Sequence, residues 1–203
     1  MLNDINLSLF SFINATPITS IGTLTLAIFL AKRLILIFPL ITIACWLWGS
    51  SKNLVRQRVF VCKTALAVII GLAISGFIGV IFPQERPFML GIGQHFLAHA
   101  PTPSFPSNHA TIAFTFAFGF LFWLRNWIGL LLFIPALTIA WARIFLGVHW
   151  PLDMAGSFLV AIIACGISQT IWKIIGGDKL LPYIIKAYQI LFSPLIKKGW
   201  IRD

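Results

Sequence analysis

The sequence predicts an all-α membrane protein whose helices form one bundle, and three observations lead to that class. Hydrophobic residues make up 59% of the 203 residues and charged residues 10%, whereas soluble domains average about 45–50% and about 25%. The apolar residues are grouped into stretches of the length that crosses a bilayer, about 20 residues. The formal net charge is +10, with Lys and Arg collected in a few links. This composition excludes a soluble globular domain, a disordered chain and a coiled coil.

Six apolar stretches follow one another and predict six transmembrane helices. They cover residues 17–31, 34–48, 59–82, 108–124, 127–147 and 151–175. Residues 2–14 are mildly amphipathic and predict a helix at the membrane surface. Residues 177–203 mix Lys with large apolar residues, which is typical of a basic amphipathic segment lying on the membrane. We therefore divide the chain into a membrane-embedded domain, 1–176, and a basic cytoplasmic tail, 177–203.

The distribution of Lys and Arg predicts the orientation of these helices, because cytoplasmic loops collect positive charge. With the link 49–58 inside, four of the 15 cations lie outside, namely Lys32, Arg33, Arg86 and Arg143. The other 11 of the 15, including Arg125 in the short link before the fifth stretch, lie inside. Both termini then lie in the cytoplasm. The same asymmetry accounts for the net charge, so no nucleic-acid partner is expected.

The polar residues that stand out from the apolar sequence fall into three clusters, and the predicted topology places all three on the outer side. The clusters are Glu85-Arg86-Pro87, Pro106-Ser107-Asn108-His109 and Arg143-x5-His149-x3-Asp153. Ionisable residues within a membrane domain usually mark function, because a charge at the bilayer centre costs about 2.5–3.5 kcal/mol on insertion scales. We therefore expect the three clusters to form one site at the outer interface.

The side chains in these clusters suit a phosphate group. Arg86 and Arg143 carry permanent, planar charges that pair with phosphate oxygens. Ser107 adds a hydroxyl at the N-terminus of the fourth helix, where free N–H groups favour an anion. His149 and Asp153 are one helical turn apart, so the carboxylate can fix the imidazole tautomer and leave the other nitrogen free to attack.

A second imidazole, His109, is available to protonate a leaving group. The clusters together predict phosphoryl transfer through a phosphohistidine, with no metal ion and no other cofactor. His95 and His99 have the spacing of a helical metal pair, but no carboxylate or cysteine accompanies them in their link. We interpret them as surface histidines or as contacts to substrate or lipid. Glu85 is interpreted as a partner that holds Arg86, or else as a group on the substrate side.

These clusters resemble the signature of the type-2 phosphatidic acid phosphatase superfamily. Its three motifs match Arg86-Pro87, Pro106-Ser107-x-His109 and Arg143-x5-His149-x3-Asp153. The resemblance implies that His149 is the nucleophile, that Asp153 orients it, and that His109 is the general acid. It assigns phosphate binding to Arg86, Ser107 and Arg143.

Two positions depart from that signature. Gly79 stands where the first motif usually has Lys, and Ala142 stands where the third motif usually has Ser. One cationic phosphate ligand and one hydroxyl are therefore missing. The predicted topology places Lys32 and Arg33 at the depth of the three clusters, and we expect one of them to supply the missing cation.

The short chain and the stretches ERPF (85–88) and GVHWPLD (147–153) resemble the bacterial undecaprenyl-diphosphate phosphatases of this superfamily. That likeness implies hydrolysis of undecaprenyl diphosphate at the outer face of the bacterial inner membrane, with a polyprenyl diphosphate and membrane lipids as partners. Three alternatives stay open. They are a phosphatase of phosphatidylglycerophosphate or phosphatidic acid, a phosphotransferase acting on lipid A, and a non-catalytic membrane protein or transporter.

Overall fold

A computed structural model describes residues 2–124 and 127–203, and this part of the chain is helical without a strand, which confirms the all-α prediction. The predicted cytoplasmic cation Arg125 lies outside the described residues. The α-helices are α1 (Leu2–Ile13), α2 (Ile21–Lys32), α3 (Ile37–Trp48), α4 (Leu54–Ile81), α5 (Asn108–Gly119), α6 (Trp127–Phe145), α7 (Pro151–Ile171), α8 (Leu181–Leu191) and α9 (Ser193–Lys197). A 3₁₀ turn, Leu34–Leu36, joins α2 to α3, and π-helical segments continue α5 (Phe120–Leu124) and α7 (Trp172–Leu180).

Four helical runs among the described residues are long and apolar enough to cross a membrane. They are Ile21–Trp48, Ser51–Ile81, Trp127–Phe145 and Pro151–Gly176. A shorter apolar helix, Asn108–Leu124, lies between the second and the third. The protein is therefore a helical membrane protein, as the composition predicts.

The first two predicted membrane helices form one continuous run, Ile21–Trp48. The backbone stays in the right-handed helical region through its charged middle, with φ −106° and ψ −31° at Arg33. A hairpin would need the chain to reverse here, and helical angles do not reverse it. The predicted outer hairpin at Lys32 and Arg33 is therefore not formed, and the described residues do not confirm the count of six transmembrane helices. Long basic side chains extend their charge away from an apolar helix, so two adjacent cations need not end it.

The bundle has two ends, which we call the loop end (residues 82–107 and 146–150) and the tail end (residues 49–53 and 198–203). The run that contains α2 and α3 starts near the loop end, where the Ala15 N–H donates to the Phe145 carbonyl at 2.9 Å. It finishes at the tail end, where the Trp48 indole N–H donates to the Trp200 carbonyl at 2.7 Å. This run therefore passes once through the bundle.

The short helix α5, with its π-helical extension, also passes through the whole bundle. It begins at the loop end, and its extension reaches the start of α4, where Arg56 donates to the Leu124 carbonyl at 2.7 Å. The rings of Phe60 and Phe120 meet near the same level, with centroids 4.5 Å apart. Within the described residues, five helical runs thus connect the two ends, in the order α2–α3, α4, α5, α6 and α7.

The N-terminal helix α1 lies at the loop end. The Asn6 side-chain oxygen accepts from the Leu152 N–H at 3.0 Å, and the Phe10 ring packs on the Trp150 ring, with centroids 5.0 Å apart. The C-terminal residues lie at the tail end, where the Arg202 N–H donates to a carbonyl of α3 at 2.8 Å. The two terminal segments therefore lie at opposite ends of the bundle, which does not support the prediction that both share the cytoplasmic face.

Aromatic side chains hold α5 in the centre of the bundle, against α4, α6 and α7. The Phe118 ring contacts the rings of Phe133 and Phe158, in each case with centroids 5.0 Å apart and near-perpendicular planes. Edge-to-face pairs of this kind are worth about 0.5–1.5 kcal/mol beyond their buried area. Association of helices in lipid depends on such packing, because apolar side chains gain no hydrophobic force there. The fixed position of α5 sets the position of its N-terminus at the loop end.

The tail contains the helices α8 and α9. The Tyr188 side chain of α8 is buried, with its ring edge-on to Trp46 of α3 and the centroids 5.6 Å apart. Apolar residues elsewhere on α8, such as Tyr183 and Ile190, are exposed. The tail therefore packs against the bundle with one side and leaves apolar groups on the other.

Candidate active site

The loop before α5 folds back onto α7 and places the second cluster. The Phe105 ring lies on Gly156, where an added Cβ would overlap it, so the close approach requires glycine. The Ser104 N–H donates to the Gln84 carbonyl at 2.7 Å and closes the loop on itself. Ser107 is then the N-cap residue of α5, with extended backbone angles, but its hydroxyl makes no capping bond.

A tight turn between α6 and α7 presents the third cluster. Gly147 has φ +77°, and a Cβ there would overlap the Gln94 carbonyl oxygen, so glycine is required both for the angle and for the space. The turn leads into α7 through Trp150, whose backbone N–H donates to an Asp153 carboxylate oxygen at 2.8 Å. This capping contact fixes the carboxylate next to His149.

The geometry selects one tautomer of His149. Its Nδ1 lies 2.9 Å from Asp153 Oδ2, which also accepts from the Ser104 hydroxyl. A carboxylate oxygen accepts, so Nδ1 carries the proton and Nε2 carries the lone pair. An Arg86 N–H 3.0 Å from Nε2 donates to that lone pair and favours the same tautomer. His149 is buried, and Nε2 is the ring nitrogen whose lone pair is not used by the Asp153 contact.

Arg86 is held by five contacts that join two loops. Its Nε donates to the Thr102 carbonyl at 2.8 Å, and its NH2 group to the Thr102 hydroxyl and the Pro103 carbonyl at 3.2 and 3.0 Å. Its NH1 group donates to the Val148 carbonyl at 2.9 Å and to His149 Nε2. A guanidinium has five N–H donors, so this set uses all of them.

A cavity of about 360 Å³ lies between these loops and α4. Its polar lining residues are Ser75, Arg86, His99, Thr102, Asn108, His109, Arg143 and His149. Small residues of α4, Gly76 and Gly79, form part of the wall. Four predicted site residues from three separate sequence clusters therefore face one space, and Asp153 adjoins it through His149.

Two buried donor atoms near the cavity have no hydrogen-bond partner among the described residues, and the Asp153 Oδ1 acceptor beside His149 also lacks one. The two donors are the Ser107 hydroxyl and Arg143 Nε, and Arg143 is only 2% exposed. A buried unpaired donor costs about 1–3 kcal/mol, or more when it is charged, so both atoms favour the binding of an anion. Burial, together with the positive charges of Arg143 and Arg86, holds the pKa of His149 well below its ordinary value. Its Nε2 is therefore unprotonated at neutral pH.

The structure gives no support to the expectation that Lys32 or Arg33 replaces the missing cation. Neither residue lines the cavity, and both side chains are exposed along the first helical run. The expectation depended on the outer hairpin, which does not form. Gly79 does line the cavity, so the position of the absent Lys is at the site, but no residue of α2 reaches it.

Two other polar residues of the loop end differ from their interpretation. Glu85 is exposed, and none of the five donors of Arg86 contacts its side chain, so the predicted pair is not formed. The two histidines of the link are separated from each other. His95 stacks on Phe88, with ring centroids 4.2 Å apart, whereas His99 lines the cavity.

Sequence reasoning missed Ser104 and Thr102, which position the catalytic cluster. Ser104 is fully buried and donates to Asp153, a residue 49 positions away. Thr102 supplies two of the five acceptors around Arg86. Both lie in a Pro-rich link without a periodic pattern, and their partners are distant in sequence. Only the position of Ser104 three residues before Ser107, in the same short stretch, gave a hint.

Comparison with known proteins identifies the family of the segment that carries the three clusters. The family model of the PAP2 superfamily matches residues 60–175, a segment that contains all of them. The chain belongs to the PAP2 superfamily. The resemblance drawn from the motifs is thereby confirmed.

Several curated members of this superfamily are similar to the chain. YbjG of Escherichia coli (strain K12), which carries the provisional name undecaprenyl-diphosphatase, is 48% identical over the whole length of both chains. Undecaprenyl-diphosphatase BcrC of Bacillus subtilis (strain 168) is 31% identical over 86% of each chain. Among solved structures, the crystal structure of Aquifex aeolicus LpxE superposes with a TM-score of 0.63 at 27% identity. That match covers 82% of this chain and 95% of the other.

Proposed function

We propose that this PAP2 superfamily protein is a membrane phosphatase that hydrolyses undecaprenyl diphosphate to undecaprenyl phosphate and inorganic phosphate. Full-length similarity to proteins named undecaprenyl-diphosphatase supports the substrate. The observation that carries the chemistry is the state of His149. Its Nδ1 is bonded to Asp153, and its unprotonated Nε2 faces a cavity lined with cationic groups.

The first step is attack by His149 Nε2 on the terminal phosphorus. The new N–P bond forms as the bond between that phosphorus and the bridging oxygen breaks, and the electron pair leaves with undecaprenyl phosphate. His109 lines the same cavity and gives its proton to the departing oxygen. Asp153 stabilises the positive charge that develops on the His149 ring.

The second step releases phosphate from the phosphohistidine. His109, now neutral, takes a proton from a water molecule that attacks phosphorus, and the N–P bond breaks. Inorganic phosphate leaves, and His149 returns to its starting tautomer. The same imidazole thus acts first as an acid and then as a base, so both half-reactions use one protonation cycle.

The negative charge on the transferred phosphoryl group is balanced by donors near the cavity that have no hydrogen-bond partner among the described residues. Arg143 Nε and the Ser107 hydroxyl lack partners, and the N-terminus of α5 adds free backbone N–H groups. When His149 Nε2 bonds to phosphorus, it no longer accepts the hydrogen bond from Arg86. That Arg86 N–H then becomes available to a phosphate oxygen. Electrostatic stabilisation of this kind is the main contribution to phosphoryl-transfer catalysis.

We further propose that the loop end faces outward from the bacterial inner membrane and that the chain crosses the membrane five times. Residues 1–176 would form the membrane-embedded catalytic domain, with α1 on the outer surface. Residues 177–203 would form the basic cytoplasmic tail. Arg86 and Arg143 are the described cations near the loop end, whereas most of the others lie toward the tail end, which supports this sidedness.

The function is tested with purified protein in detergent, with EDTA present throughout. The substrates are undecaprenyl diphosphate, phosphatidylglycerophosphate, phosphatidic acid and undecaprenyl phosphate, and released phosphate is measured. We expect the highest kcat/KM for undecaprenyl diphosphate, and none of the activity to need a divalent ion, because the cavity offers cations and imidazoles and not a cage of carboxylates. A higher kcat/KM for either phospholipid would overturn the substrate assignment.

The sidedness is tested with an impermeant thiol reagent on intact spheroplasts. Ala98→Cys lies in the loop end and should react, whereas Asn53→Cys lies in the tail end and should react only after lysis. The unmodified chain has three cysteines, Cys45, Cys62 and Cys165, and gives the background. The opposite pattern would place the catalytic cavity on the cytoplasmic side.

A further inference from the structure

The link before α5 carries two histidines that differ in surroundings. The His95 ring is exposed and stacks on Phe88 outside the cavity. The His99 ring is half-buried, lines the cavity, and stands edge-on to the His149 ring, with the two centroids 6.1 Å apart. The sequence spacing does not distinguish the two histidines, but in the structure only His99 adjoins His149.

The cavity has fewer cationic donors than its motifs imply. The position at which the superfamily motif has Lys is Gly79, which lines the cavity without a side chain. Before the attack Arg86 has all five donors engaged by protein atoms, and only the one on His149 Nε2 is released when that nitrogen bonds to phosphorus. Among the described residues that line the cavity, Arg143 is the arginine that keeps an unpaired donor. A terminal phosphate carries about two negative charges, which its transition state spreads over three oxygens. A further donor in the cavity would therefore stabilise that charge.

The distance between the two rings suits a shared phosphate. A nucleophilic nitrogen approaches phosphorus at about 3–3.5 Å before reaction, and an N–H···O bond spans about 2.7–3.2 Å. A phosphoryl group at His149 Nε2 can therefore place an oxygen within hydrogen-bond distance of His99. The His99 Nδ1 lies 2.9 Å from the Ala100 carbonyl and donates to it, so Nε2 is the nitrogen left for a ligand.

We propose that His99 binds the phosphate that His149 attacks, and that it replaces the Lys missing at position 79. This inference rests on the proposed function. Because Nδ1 already donates to Ala100, Nε2 needs a proton of its own to donate, so His99 binds phosphate as an imidazolium. Partial burial and the charges of Arg86 and Arg143 lower the pKa of His99. An arriving phosphate brings the opposite charge and favours that protonation.

The test compares His99→Ala with the matched control His95→Ala in the purified full-length protein. Two quantities are measured: kcat/KM for undecaprenyl diphosphate, and the dissociation constant of inorganic phosphate by titration calorimetry. We expect His99→Ala to lower kcat/KM and to weaken phosphate binding, each by about tenfold or more. His95→Ala should stay within about twofold of the parent in both.

A third variant tests replacement of the charge. The double variant His99→Ala, Gly79→Lys puts a cation at the vacant position, where a Cβ makes only ordinary contact with Pro103, at 3.4 Å. We expect it to recover part of the lost phosphate affinity, which a purely structural histidine would not allow.

Three results would overturn the inference: unchanged phosphate affinity in His99→Ala, an equal loss in His95→Ala, or no recovery in the double variant. The phosphate titration does not need turnover. It therefore decides the role of His99 even if another lipid proves to be the substrate, and only the kcat/KM comparison across lipids bears on the proposed function.

Discussion

The loop end and the tail end of the bundle each bury an arginine, and the two arginines have different surroundings. Arg58, at the tail end, is 3% exposed and lies 5.3 Å from the centre of the Trp46 ring and 4.9 Å from that of Tyr188. It donates to the Arg202 carbonyl at 3.1 Å. Arg143, at the loop end, is 2% exposed and lines the cavity. The Nε of each arginine lacks a hydrogen-bond partner among the described residues, so the contrast lies in the aromatic rings and the carbonyl around Arg58 and in the open space beside Arg143.

The difference predicts that the charge of Arg58 is structural and that the charge of Arg143 is functional. The aromatic faces and a carbonyl around Arg58 compensate its charge within the protein, and they attach the C-terminal residues to the bundle. The charge of Arg143 adjoins an open space and lies close to a second arginine, an arrangement that is unfavourable until an anion enters. Changes at the loop end should therefore affect turnover, and changes at the tail end should affect stability.

The largest loss should follow His149→Ala. Without Nε2 no covalent intermediate forms, and kcat should fall by roughly 10⁴-fold or more, the scale seen when a nucleophile is removed. The check is trapping of a ³²P-labelled, acid-labile phosphoenzyme, which should be absent, alongside an unchanged melting temperature. Labelling that persisted in this variant would move the nucleophile to another residue.

His109→Ala should slow turnover by roughly 10²–10⁴-fold, the usual contribution of a positioned acid. The loss should shrink when a good leaving group such as p-nitrophenol replaces the lipid phosphate, because less proton transfer is then needed. Rates with the two substrates, measured in the variant and in the parent protein, provide the comparison. Equal losses with both would rule out the acid role.

The two arginines give the most direct comparison of the two ends. Arg143→Met should lower kcat by roughly 10²-fold, as loss of a donor to developing charge does, with an unchanged or higher melting temperature. Arg58→Met should cost about 2 kcal/mol of stability, because it removes cation–π contacts and a charged hydrogen bond. The folded fraction of that variant should keep its specific activity. Thermal unfolding in detergent measures the stability of each variant, and active-site titration gives the activity of its folded fraction. A loss of stability in Arg143→Met together with a loss of turnover in Arg58→Met would contradict the distinction.

A smaller effect should appear in the pH dependence of kcat/KM. His149 must be unprotonated to attack, and its pKa is lowered by burial, then by Arg143 and Arg86. Activity should therefore persist on acidification to below about pH 6.5, the ordinary pKa of histidine. Arg143→Met removes one of these charges and should move the acid limb to higher pH, whereas Arg58→Met should leave it in place. An acid limb above pH 6.5 in the parent protein would contradict the lowered pKa.

Composition and local spacing were sufficient to predict much of this protein. The apolar content requires a helical membrane protein, since only helices satisfy the backbone within a single membrane-crossing segment. The contact between His149 and Asp153 follows from their separation of four residues across the first turn of a helix. The three motifs in their order also identified the superfamily, because each contributes residues that a phosphate site needs.

Other features were decided only by the tertiary structure. Lys32 and Arg33 interrupt the hydropathy pattern, but hydropathy does not show whether the backbone reverses. The structure has a continuous helical run in place of the predicted hairpin, and it places α1 at the end of the bundle opposite the C-terminal residues. Glu85 is adjacent to Arg86 in sequence, yet the arginine binds acceptors 16, 17, 62 and 63 residues away. The roles of Ser104 and His99 likewise depend on partners across the cavity. Hydrogen bonds and electrostatic forces act over a few ångströms in space, so they depend on distances that sequence separation does not specify.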